Sequence, residues 1–414
     1  MPKRVIGFVA VALLVGLMAA STLAAPVKVT FWHASGGEHG VVLDQLVAEF
    51  NASQDEVQVE AAYQGGYGTL MQKLMAAVAA GDPPTLTGTY NNWTSVFIDA
   101  DVIVPLERFI NDPAVGYSEA ELLDFFPAFI DANSWDGVLY TLPFNKSVQV
   151  LYYSKDLLDR AGVDVPRTMD ELAEAARAVK EKTGVHGLVA SADIDTFSAF
   201  FRAFGGEWLD EKGQPAFHGE AGVRAVNFIQ EMLSEGSAYL FDGYLDDEFN
   251  KGKAAMFIHS NGTIPWVRDG ASFAWGTAPV PMGDVEASTV AGLDLAIFSD
   301  ASEAEQLAAW SFVKWLLSPE VNARWSVATG YIPVRQSTLE TSIIKEYLEV
   351  APHEKASGIE SLSRLVFDPG IPAWNDMRGY IGEAQQRIFL TNVDPARALA
   401  DAAQKSAQAI RDTM

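Results

Sequence analysis

The fold of this chain is decided by residues 143–180, PFNKSVQVLYYSKDLLDRAGVDVPRTMDELAEAARAVK, in which signals for a strand and two helices follow one another. Val148–Tyr153 is a β-branched and aromatic run, which is typical of a buried strand. A short helix is predicted after it and ends before Gly162, because glycine readily takes the conformation that terminates a helix. Thr168 and Glu171 have the spacing of a capping box and open a second, longer helix. The stretch therefore predicts a strand, a helix, a turn and a capped helix.

Strands and helices alternate on both sides of this stretch. Val27–Trp32 and Val57–Tyr63 show the apolar–polar alternation of strands, each is followed by a helical pattern, and Thr85–Tyr90 suggests a third strand. The alternation predicts an α/β protein with largely parallel sheets. The glycine loop at 64–68 lacks the G-x-G-x-x-G spacing of a dinucleotide-binding turn, so that interpretation is not favoured. No single sharp boundary divides the chain, as expected for two lobes that the chain crosses more than once.

Residues 1–25 have the pattern of a secretory signal peptide. Lys3 and Arg4 form a basic start, Val5–Ala20 is apolar, and small residues precede a cleavage site that we place after Ala24. Cleavage one residue later would leave a proline beside the bond, although the pattern also permits it. The apolar run is shorter than the roughly 20 residues of a membrane-spanning helix, which makes an uncleaved anchor the less favoured alternative. We therefore predict export with cleavage of this segment.

The composition excludes several classes of function. The chain has no cysteine, which excludes disulfides, thiol catalysis, zinc–cysteine sites and a lipid-bearing cysteine. Its net charge of −25 disfavours binding to nucleic acid and to anionic lipids. An exported protein without a lipid anchor diffuses away unless an outer membrane retains it, so we predict a periplasmic protein. We also expect a monomer without a cofactor or a nucleic-acid partner.

Catalytic and metal-binding motifs are scarce. The sequence has no G-x-S-x-G elbow, no phosphate-binding P-loop and no H-E-x-x-H pattern. His33 and His39 share a predicted loop and would suit a metal only if further ligands converged on them, so polar loop residues near a cleft are the preferred interpretation. A periplasmic hydrolase stays an alternative, but it needs a nucleophile–base pair that the pattern does not supply. We expect neither catalytic residues nor a metal site.

Aromatic and small polar residues recur at the predicted strand ends. The ligand site of an α/β protein lies beyond the carboxyl ends of its strands, where loops present side chains and backbone amides. Trp32-His33, Tyr67 and Tyr90–Trp93 follow the first three strands, and Ser260 follows a later one. Each residue alone is explained equally well by turn formation or by the edge of a core. Their recurrence at successive strand ends favours a binding cleft.

Several segments resemble one family along nearly the whole mature chain. The sequence is similar to the family 1 extracellular solute-binding proteins of ABC importers, and within them to the subgroup that binds sn-glycerol-3-phosphate. The LYY-x-KDLL text within residues 143–180 is common to the family, whereas FWH with a Gly-Glu loop and TGYIPV are more specific to the subgroup. The matching segments are FWHASGGEHG at 31–40, YQGGY at 63–67, PFNKSVQVLYYSKD at 143–156, GKAAMFIHSNG at 252–262 and ATGYIPV at 328–334.

The resemblance implies a type II periplasmic-binding-protein fold, in which a ligand cleft separates two α/β lobes. Each lobe has a mixed, mostly parallel sheet flanked by helices, and the lobes exchange segments. We expect lobe 1 to comprise residues 26–140 and about 285–340, and lobe 2 to comprise residues 141–284 and about 341–414. Closure of the two lobes about a hinge is the conformational change expected on ligand binding.

The resemblance also implies ligand contacts at particular positions. Asn91 stands where the subgroup has a glutamate that binds glycerol hydroxyls, and Ala192–Thr196 holds no aromatic residue where the subgroup has a tryptophan. The remaining contact positions supply hydroxyl and backbone donors and a permanently charged guanidinium, which suit phosphate recognition. Those matching positions are Tyr67, Ser147, Ser260, Gly292, Tyr331 and Arg378. A second set of candidates consists of Trp32, His33, Trp93, Asp193 and Trp374.

These departures suggest a ligand that has a phosphate group, as glycerol-3-phosphate does, but differs from it in the glycerol half. The expected solute is glycerol-3-phosphate or a glycerophosphodiester such as glycerophosphocholine, whose cationic group would meet Asp193 or Asp195. A neutral sugar or oligosaccharide is the alternative, because Asn91, Asp193 and the tryptophans of the second set would serve it equally well. The resemblance implies that the protein captures the solute and delivers it to the membrane permease subunits of an ABC importer, with the cytoplasmic ATPase as an indirect partner.

Overall fold

The computed structural model describes residues 25–413, so the predicted signal peptide lies, apart from its last residue, outside the described residues. The strands of this part of the chain are β1 Val27–His33, β2 Val57–Tyr63, β3 Leu86–Thr89, β4 Ser134–Trp135, β5 Val138–Leu139, β6 Leu142–Pro143, β7 Ser147–Ser154, β8 His186–Ala190, β9 Ala238–Leu240, β10 Ala254–Ser260, β11 Trp275–Pro279, β12 Ser288–Ala291, β13 Asp294–Ile297 and β14 Leu365–Val366.

Helices connect these strands and form most of the last hundred described residues. The α-helices are α1 Gly37–Ser53, α2 Tyr67–Ala80, α3 Asn91–Asp99, α4 Glu107–Ile110, α5 Glu119–Leu123, α6 Pro127–Ala132, α7 Lys155–Ala161, α8 Met169–Thr183, α9 Ile194–Ala203, α10 Glu220–Ser234, α11 Leu245–Asn250, α12 Ile264–Gly270, α13 Glu303–Leu316, α14 Pro319–Thr329, α15 Gln336–Leu339, α16 Ser342–Val350, α17 Pro352–Glu360, α18 Trp374–Thr391 and α19 Pro395–Thr413. Two short 3₁₀ turns lie at Asn261–Thr263 and Ser361–Ser363.

The stretch at 143–180 folds as its sequence predicts. Gly162 ends α7 with a φ of 72°, a left-handed conformation that glycine takes without steric cost. Thr168 and Glu171 form the predicted capping box at the start of α8, which stabilises a helix by about 1 kcal/mol. The apolar stripe of α8 is buried, with Leu172 and Val179 fully covered. These local signals are therefore sufficient to place one strand and two helices.

The first sheet has the strand order β2-β1-β3-β13-β6. β1 pairs in parallel with β2 and with β3, because α1 and α2 supply the crossovers between them. β13 reaches the sheet from the far part of the chain and runs antiparallel to both β3 and β6. Helices α1 and α13 pack beside this sheet. The carboxyl ends of β2 and β3 consequently lie at one edge, where α2 and α3 begin.

The second sheet is built around β7 in the order β14-β12-β7-β10-β8-β9, and β11 also pairs with β7. The pairs of β7 with β10, β11 and β12 are antiparallel, whereas β10–β8, β8–β9 and β12–β14 are parallel. Both sheets are therefore mixed. The antiparallel pairs centre on β7 and β13, the strands that directly follow the passages of the chain between the sheets.

The chain passes between the sheets at least three times. Residues 144–146 join β6 to β7, and residues 292–293 join β12 to β13. A third passage lies between α14, which packs on α1, and α17, which packs on β11. The division into lobes at about 140, 285 and 340 stays a prediction. Strand β12, at Ser288–Ala291, is hydrogen-bonded in the second sheet, several residues beyond the expected second passage.

Hydrogen bonds and an ion pair connect the first two passages. The amide N–H of Asn145 donates to the carbonyl of Leu293 at 3.2 Å, and the amide of Leu293 donates to the side-chain oxygen of Asn145 at 2.5 Å. The ammonium of Lys146 lies 2.6 Å from the carboxylate of Asp294, and the two side chains are 1% and 0% exposed. Gly292 has a φ of 109°. A Cβ there would lie 1.9 Å from the Asn145 carbonyl oxygen, so this position requires glycine.

An apolar core continues through these passages from one sheet to the other. It joins Val29 and Phe31 of the first sheet to Val150 and Tyr152 of the second sheet, and Phe144 of the first passage belongs to the same cluster. A second cluster fills the space between the second sheet and its helices. Within residues 25–413, no helix combines the length and the apolar character that crossing a bilayer would require.

Candidate ligand-binding cleft

A cavity of about 420 Å³ lies between the two sheets. Its wall is formed by the first residues of α2 and α3, by the ends of β7, β10 and β12, and by α18. The structure brings together residues that are distant in sequence: the wall includes the first set of predicted contacts and two residues of the second set. These residues are Tyr67, Asn91, Ser147, Ser260, Gly292, Tyr331 and Arg378, together with Trp93 and Trp374.

The first sheet presents helix N-termini to the cavity. Tyr67 is the first residue of α2 and Asn91 is the first residue of α3, so both stand just beyond the carboxyl ends of β2 and β3. This is the edge at which the alternating pattern predicts a ligand. The Asn91 side-chain amide already donates a hydrogen bond to the carbonyl of Ala132. Its position therefore depends on the protein backbone as well as on any solute.

The second sheet contributes small residues at its strand ends. Ser147 begins β7, and Ser260 ends β10, where its hydroxyl accepts a hydrogen bond of 3.0 Å from the Gly262 amide. Gly292 lies in the second passage, where its contact with the Asn145 carbonyl accounts for the absence of a side chain. A glycine at this position is thus explained by the fold without reference to a ligand.

Three tyrosines form one face of the cavity. The hydroxyls of Tyr67 and Tyr331 are 3.3 Å apart, and the rings of Tyr67 and Tyr90 lie 5.3 Å apart in an edge-to-face arrangement. Trp93 continues this group with its ring 5.0 Å from that of Tyr90. Burial raises the pKa of Tyr331 well above its ordinary value of 10, so its hydroxyl is neutral. The face offers hydroxyl groups and aromatic edges rather than charge.

Arg378 carries a positive charge at the cavity wall and is held by two carboxylates. Its Nη2 lies 2.8 Å from Oδ1 of Asp195, and its Nη1 lies 3.2 Å from Oδ2 of Asp368. Asp368 also accepts hydrogen bonds from the indole N–H groups of Trp208, at 3.1 Å, and of Trp374, at 3.2 Å. Arg378 is consequently fixed in orientation, and its charge is matched within the protein.

The electrostatics of this group follow from burial and proximity. Burial raises the pKa of Asp368 above its ordinary value, and the nearby Arg378 opposes that rise without cancelling it. Burial disfavours the charge of Arg378, but Asp195 and Asp368 outweigh it, so the pKa of the guanidinium lies above its ordinary value. Arg378 is therefore always charged, whereas Asp368 binds a proton more readily than an exposed aspartate does.

Three members of the second set lie away from the cavity wall. Trp32 packs against a small apolar cluster of the first lobe, and His33 is 4% exposed, with burial lowering the pKa of its imidazole. Asp193 caps α9: its carboxylate accepts hydrogen bonds from the Thr196 amide at 2.8 Å and from the Ser191 hydroxyl at 2.6 Å. One oxygen therefore caps the helix and the other binds the loop before it, and the neighbouring Asp195 lines the cavity instead.

The histidine pair raised by the sequence does not form part of a larger ligand set. His39 contacts the Thr329 carbonyl through Nε2 at 3.0 Å and packs edge-to-face on Trp266 at 4.7 Å. No group of three or more histidine, aspartate or glutamate side chains in the described part of the chain is arranged to hold a metal ion.

Sequence reasoning missed two wall residues that set the charge of the cleft. Asp368 precedes Pro369 and Gly370 in an irregular segment six residues before the helix that bears Arg378, and this proximity in sequence could have linked them. The second residue is Lys146. It lies at the wall but is buried against Asp294, which is 148 residues away in sequence. No local pattern indicates such a partner.

Comparison with known proteins gives a consistent result. The sequence profile of a family described as bacterial extracellular solute-binding protein matches residues 45–352. The sn-glycerol-3-phosphate-binding periplasmic protein UgpB of Escherichia coli is 24% identical over 428 aligned positions, which cover 98% of this chain and 97% of that protein. The similarity thus extends over nearly the full length of both proteins.

Two solved structures have the same architecture. UgpB from Mycobacterium tuberculosis in complex with glycerophosphocholine superimposes with a TM-score of 0.83 at 24% identity, covering 94% of this chain and 99% of that one. The acarbose-binding GacH receptor of Streptomyces glaucescens superimposes with a TM-score of 0.82 at 25% identity, covering 94% and 100%. The predicted two-lobed α/β binding-protein fold is confirmed by this likeness, whereas the solutes named for the two structures differ in chemistry.

Proposed function

Since the chain belongs to the family of bacterial extracellular solute-binding proteins, the substrate-binding components of ABC importers, we propose that it captures a phosphorylated glycerol compound in the cleft between its lobes. The candidate solutes are glycerol-3-phosphate, which is a phosphate monoester, and glycerophosphodiesters such as glycerophosphocholine. The solute is bound and released without chemical change, because the members of the family are binding proteins.

One observation carries this proposal: a guanidinium and several neutral donors converge on a single cavity. Arg378 lies on one wall, and the hydroxyls of Ser147, Ser260 and Tyr331 lie on others. A phosphate group needs a planar cationic partner and additional hydroxyl or amide donors. A volume of about 420 Å³ leaves room for more than the phosphate alone. The alcohol part of the solute would then lie toward Asn91 and Trp93.

The cellular role follows from the family and from the predicted signal peptide. We propose that the protein resides in the periplasm and delivers its solute to the permease subunits of the importer. Bending at the passages 144–146 and 292–293 would close the lobes over the solute. Their mutual hydrogen bonds make the two passages bend together, which suits a hinge.

A neutral sugar or oligosaccharide is the second candidate, and the pairing of Arg378 favours it. With Asp195 at 2.8 Å and Asp368 at 3.2 Å, the guanidinium is already compensated. Such a group offers both donors and acceptors to sugar hydroxyls. The GacH receptor, which binds acarbose, shares the fold. This candidate and the first one differ in the charge of the solute, so binding measurements separate them.

A ligand screen tests the proposed function. Glycerol-3-phosphate, glycerophosphocholine and maltose would be added separately to the mature protein, and the unfolding temperature and the heat of binding would be measured. A bound solute at 100 times its Kd raises the free energy of unfolding by about 2.7 kcal/mol. Stabilisation by a phosphorylated compound supports the first candidate, and stabilisation by maltose alone supports the second. Recovery of the solute in altered form would contradict a pure binding role.

A further inference from the structure

The two carboxylates that hold Arg378 differ in how firmly they are fixed. Asp368 uses both oxygens, since Oδ1 accepts from Trp208 and Oδ2 accepts from Trp374 and Arg378. Its side chain is 24% exposed. Asp195 makes one ion pair through one oxygen, and its side chain is 58% exposed. Asp368 is therefore a permanent part of the wall, whereas Asp195 can rotate away from the guanidinium.

The backbone around Asp195 is fixed by hydrogen bonds even though its side chain is more than half exposed. The side-chain amide of Gln149 in β7 donates a 2.7 Å hydrogen bond to the Asp195 carbonyl. Asp193, two residues earlier, caps the same helix through one carboxylate oxygen and accepts a hydrogen bond from the Ser191 hydroxyl through the other. The Asp195 carboxylate is consequently held at the cleft without being committed to the helix cap. Rotation of this side chain requires no change in the fold.

The charges of the cavity wall do not favour a simple anion. Lys146 is neutralised by its ion pair with Asp294 at 2.6 Å. Arg378 contributes one positive charge, and Asp195 and Asp368 contribute up to two negative charges. This part of the wall is negative overall when both carboxylates are ionised. A phosphate that binds Nη2 in place of Asp195 then lies beside an uncompensated carboxylate, where like charges repel.

We propose that Asp195 selects the charge of the solute: it favours solutes that are neutral or that carry a cation together with an anion over solutes whose only charge is negative. A zwitterionic phosphodiester supplies a cation for the displaced carboxylate, and a neutral polyol donates to it without displacing it. A phosphate monoester does neither. This inference rests on the proposed function of the cleft and names the residue that sets its specificity.

The test is a nearly isosteric substitution that removes the negative charge. Calorimetric titrations with glycerol-3-phosphate and with glycerophosphocholine would compare the wild type with Asp195→Asn. We expect the affinity for glycerol-3-phosphate, relative to glycerophosphocholine, to rise about tenfold in Asp195→Asn, because one repulsive charge is removed at close range. Asp195→Ala should shift the ratio in the same direction, which ties the effect to the lost carboxylate rather than to the new amide.

A matched control is available on the neighbouring helix. Asp376 is exposed, lies two residues before Arg378 in α18 and does not line the cavity. Asp376→Asn removes the same charge without changing the contacts of the guanidinium. The ratio of its affinities for glycerol-3-phosphate and glycerophosphocholine should stay within about twofold of the wild-type ratio, because solvent screens this charge. An equal shift in both variants would reduce the effect to general electrostatics and overturn the role of Asp195.

The outcomes separate this inference from the proposed function. If the wild type binds these solutes and Asp195→Asn leaves their affinity ratio unchanged, charge selection by Asp195 is wrong while solute binding stands. If neither phosphorylated compound nor maltose binds any variant, the proposed function fails and the inference fails with it. A larger ratio in Asp195→Asn with an unchanged ratio in Asp376→Asn supports both.

Discussion

The chain pairs a cation with a carboxylate at two places between its lobes, and the pairs differ in their access to water. Lys146 and Asp294, at the passages between the sheets, are 1% and 0% exposed. Arg378 and Asp195, at the cleft, are 34% and 58% exposed. A buried pair cannot exchange its partner without leaving a charge in a low-dielectric region, whereas a half-exposed pair can exchange a carboxylate for water or solute. Access to water therefore distinguishes a structural ion pair from one suited to binding.

The largest effect is expected at the buried pair. Lys146→Met leaves Asp294 without its cationic partner in the interior, and loss of one member of a buried pair lowers the free energy of unfolding by about 3–5 kcal/mol. Urea denaturation at neutral pH measures this change. Lys146→Met combined with Asp294→Leu removes both charges and should recover at least half of the loss. A single variant as stable as the wild type would show that the pair does not hold the passages together.

The cleft pair should respond in binding rather than in stability. Arg378→Ala removes a charged donor to the solute, and we expect affinity for a phosphorylated solute to fall by about 2 kcal/mol, or roughly 30-fold. The free energy of unfolding should change by no more than about 1 kcal/mol, because the side chain is partly exposed. Titration calorimetry and urea denaturation give the two quantities. Arg378→Lys, which keeps the charge but loses the planar fork, should bind with intermediate affinity. Unchanged affinity in Arg378→Ala would remove the basis of the phosphate proposal.

The pH dependence of Lys146→Met sharpens the comparison further. Burial raises the pKa of Asp294 in the folded protein above its ordinary value of 3.8, and Lys146 opposes this rise. Without Lys146 the folded carboxyl binds a proton that the unfolded chain releases. Protonation of Asp294 therefore stabilises Lys146→Met fully at pH values below the pKa of this carboxyl in the unfolded chain. This stabilisation is lost as the pH rises through the pKa of the carboxyl in the folded protein, by at most about 1.4 kcal/mol per pH unit. Urea denaturation across pH 5 to 8 should show Lys146→Met losing stability relative to the wild type. A constant difference at all pH values would contradict this account.

The smallest effect is expected at a pair that is open to water on both sides. Arg224 and Asp284 are 2.7 Å apart but 50% and 54% exposed. Arg224→Ala should lower the free energy of unfolding by less than about 1 kcal/mol, because solvent screens such pairs. Any larger loss would have to come from the packing of the guanidinium on the Phe204 ring, 4.2 Å away, and Arg224→Met would restore it.

The sequence predicts the elements of this fold better than its contacts. The capping box of Thr168 and Glu171 and the left-handed Gly162 are local, because cap and partner lie within one turn of chain. The positions of Tyr67 and Asn91 at helix starts after parallel strands also follow from the alternating pattern. Whether any of these residues binds solute stays a prediction. The sequence alone therefore locates an edge of the sheet, and the structure shows that one cavity gathers its residues.

The sequence could not predict these ion pairs, and the reason is physical. Lys146 and Asp294 are 148 residues apart, and Arg378 and Asp195 are 183 residues apart. Charged residues carry no periodic signal that identifies a distant partner, and in so acidic a chain most carboxylates are solvated. The departure at Asp193 illustrates the point: the sequence offered Asp193 and Asp195 equally, and only the hydrogen bonds of the helix cap separate them.

Gly292 has a consequence for how this protein can change over generations. Any side chain at that position would collide with the Asn145 carbonyl, so this position between the lobes admits almost no variation. The rim at Asp195 is exposed and is not needed for the helix cap, so its charge can be replaced by a single substitution. Mutation at Asp195 can therefore change the solute preference of the cleft, while Gly292, at the proposed hinge, has to be retained.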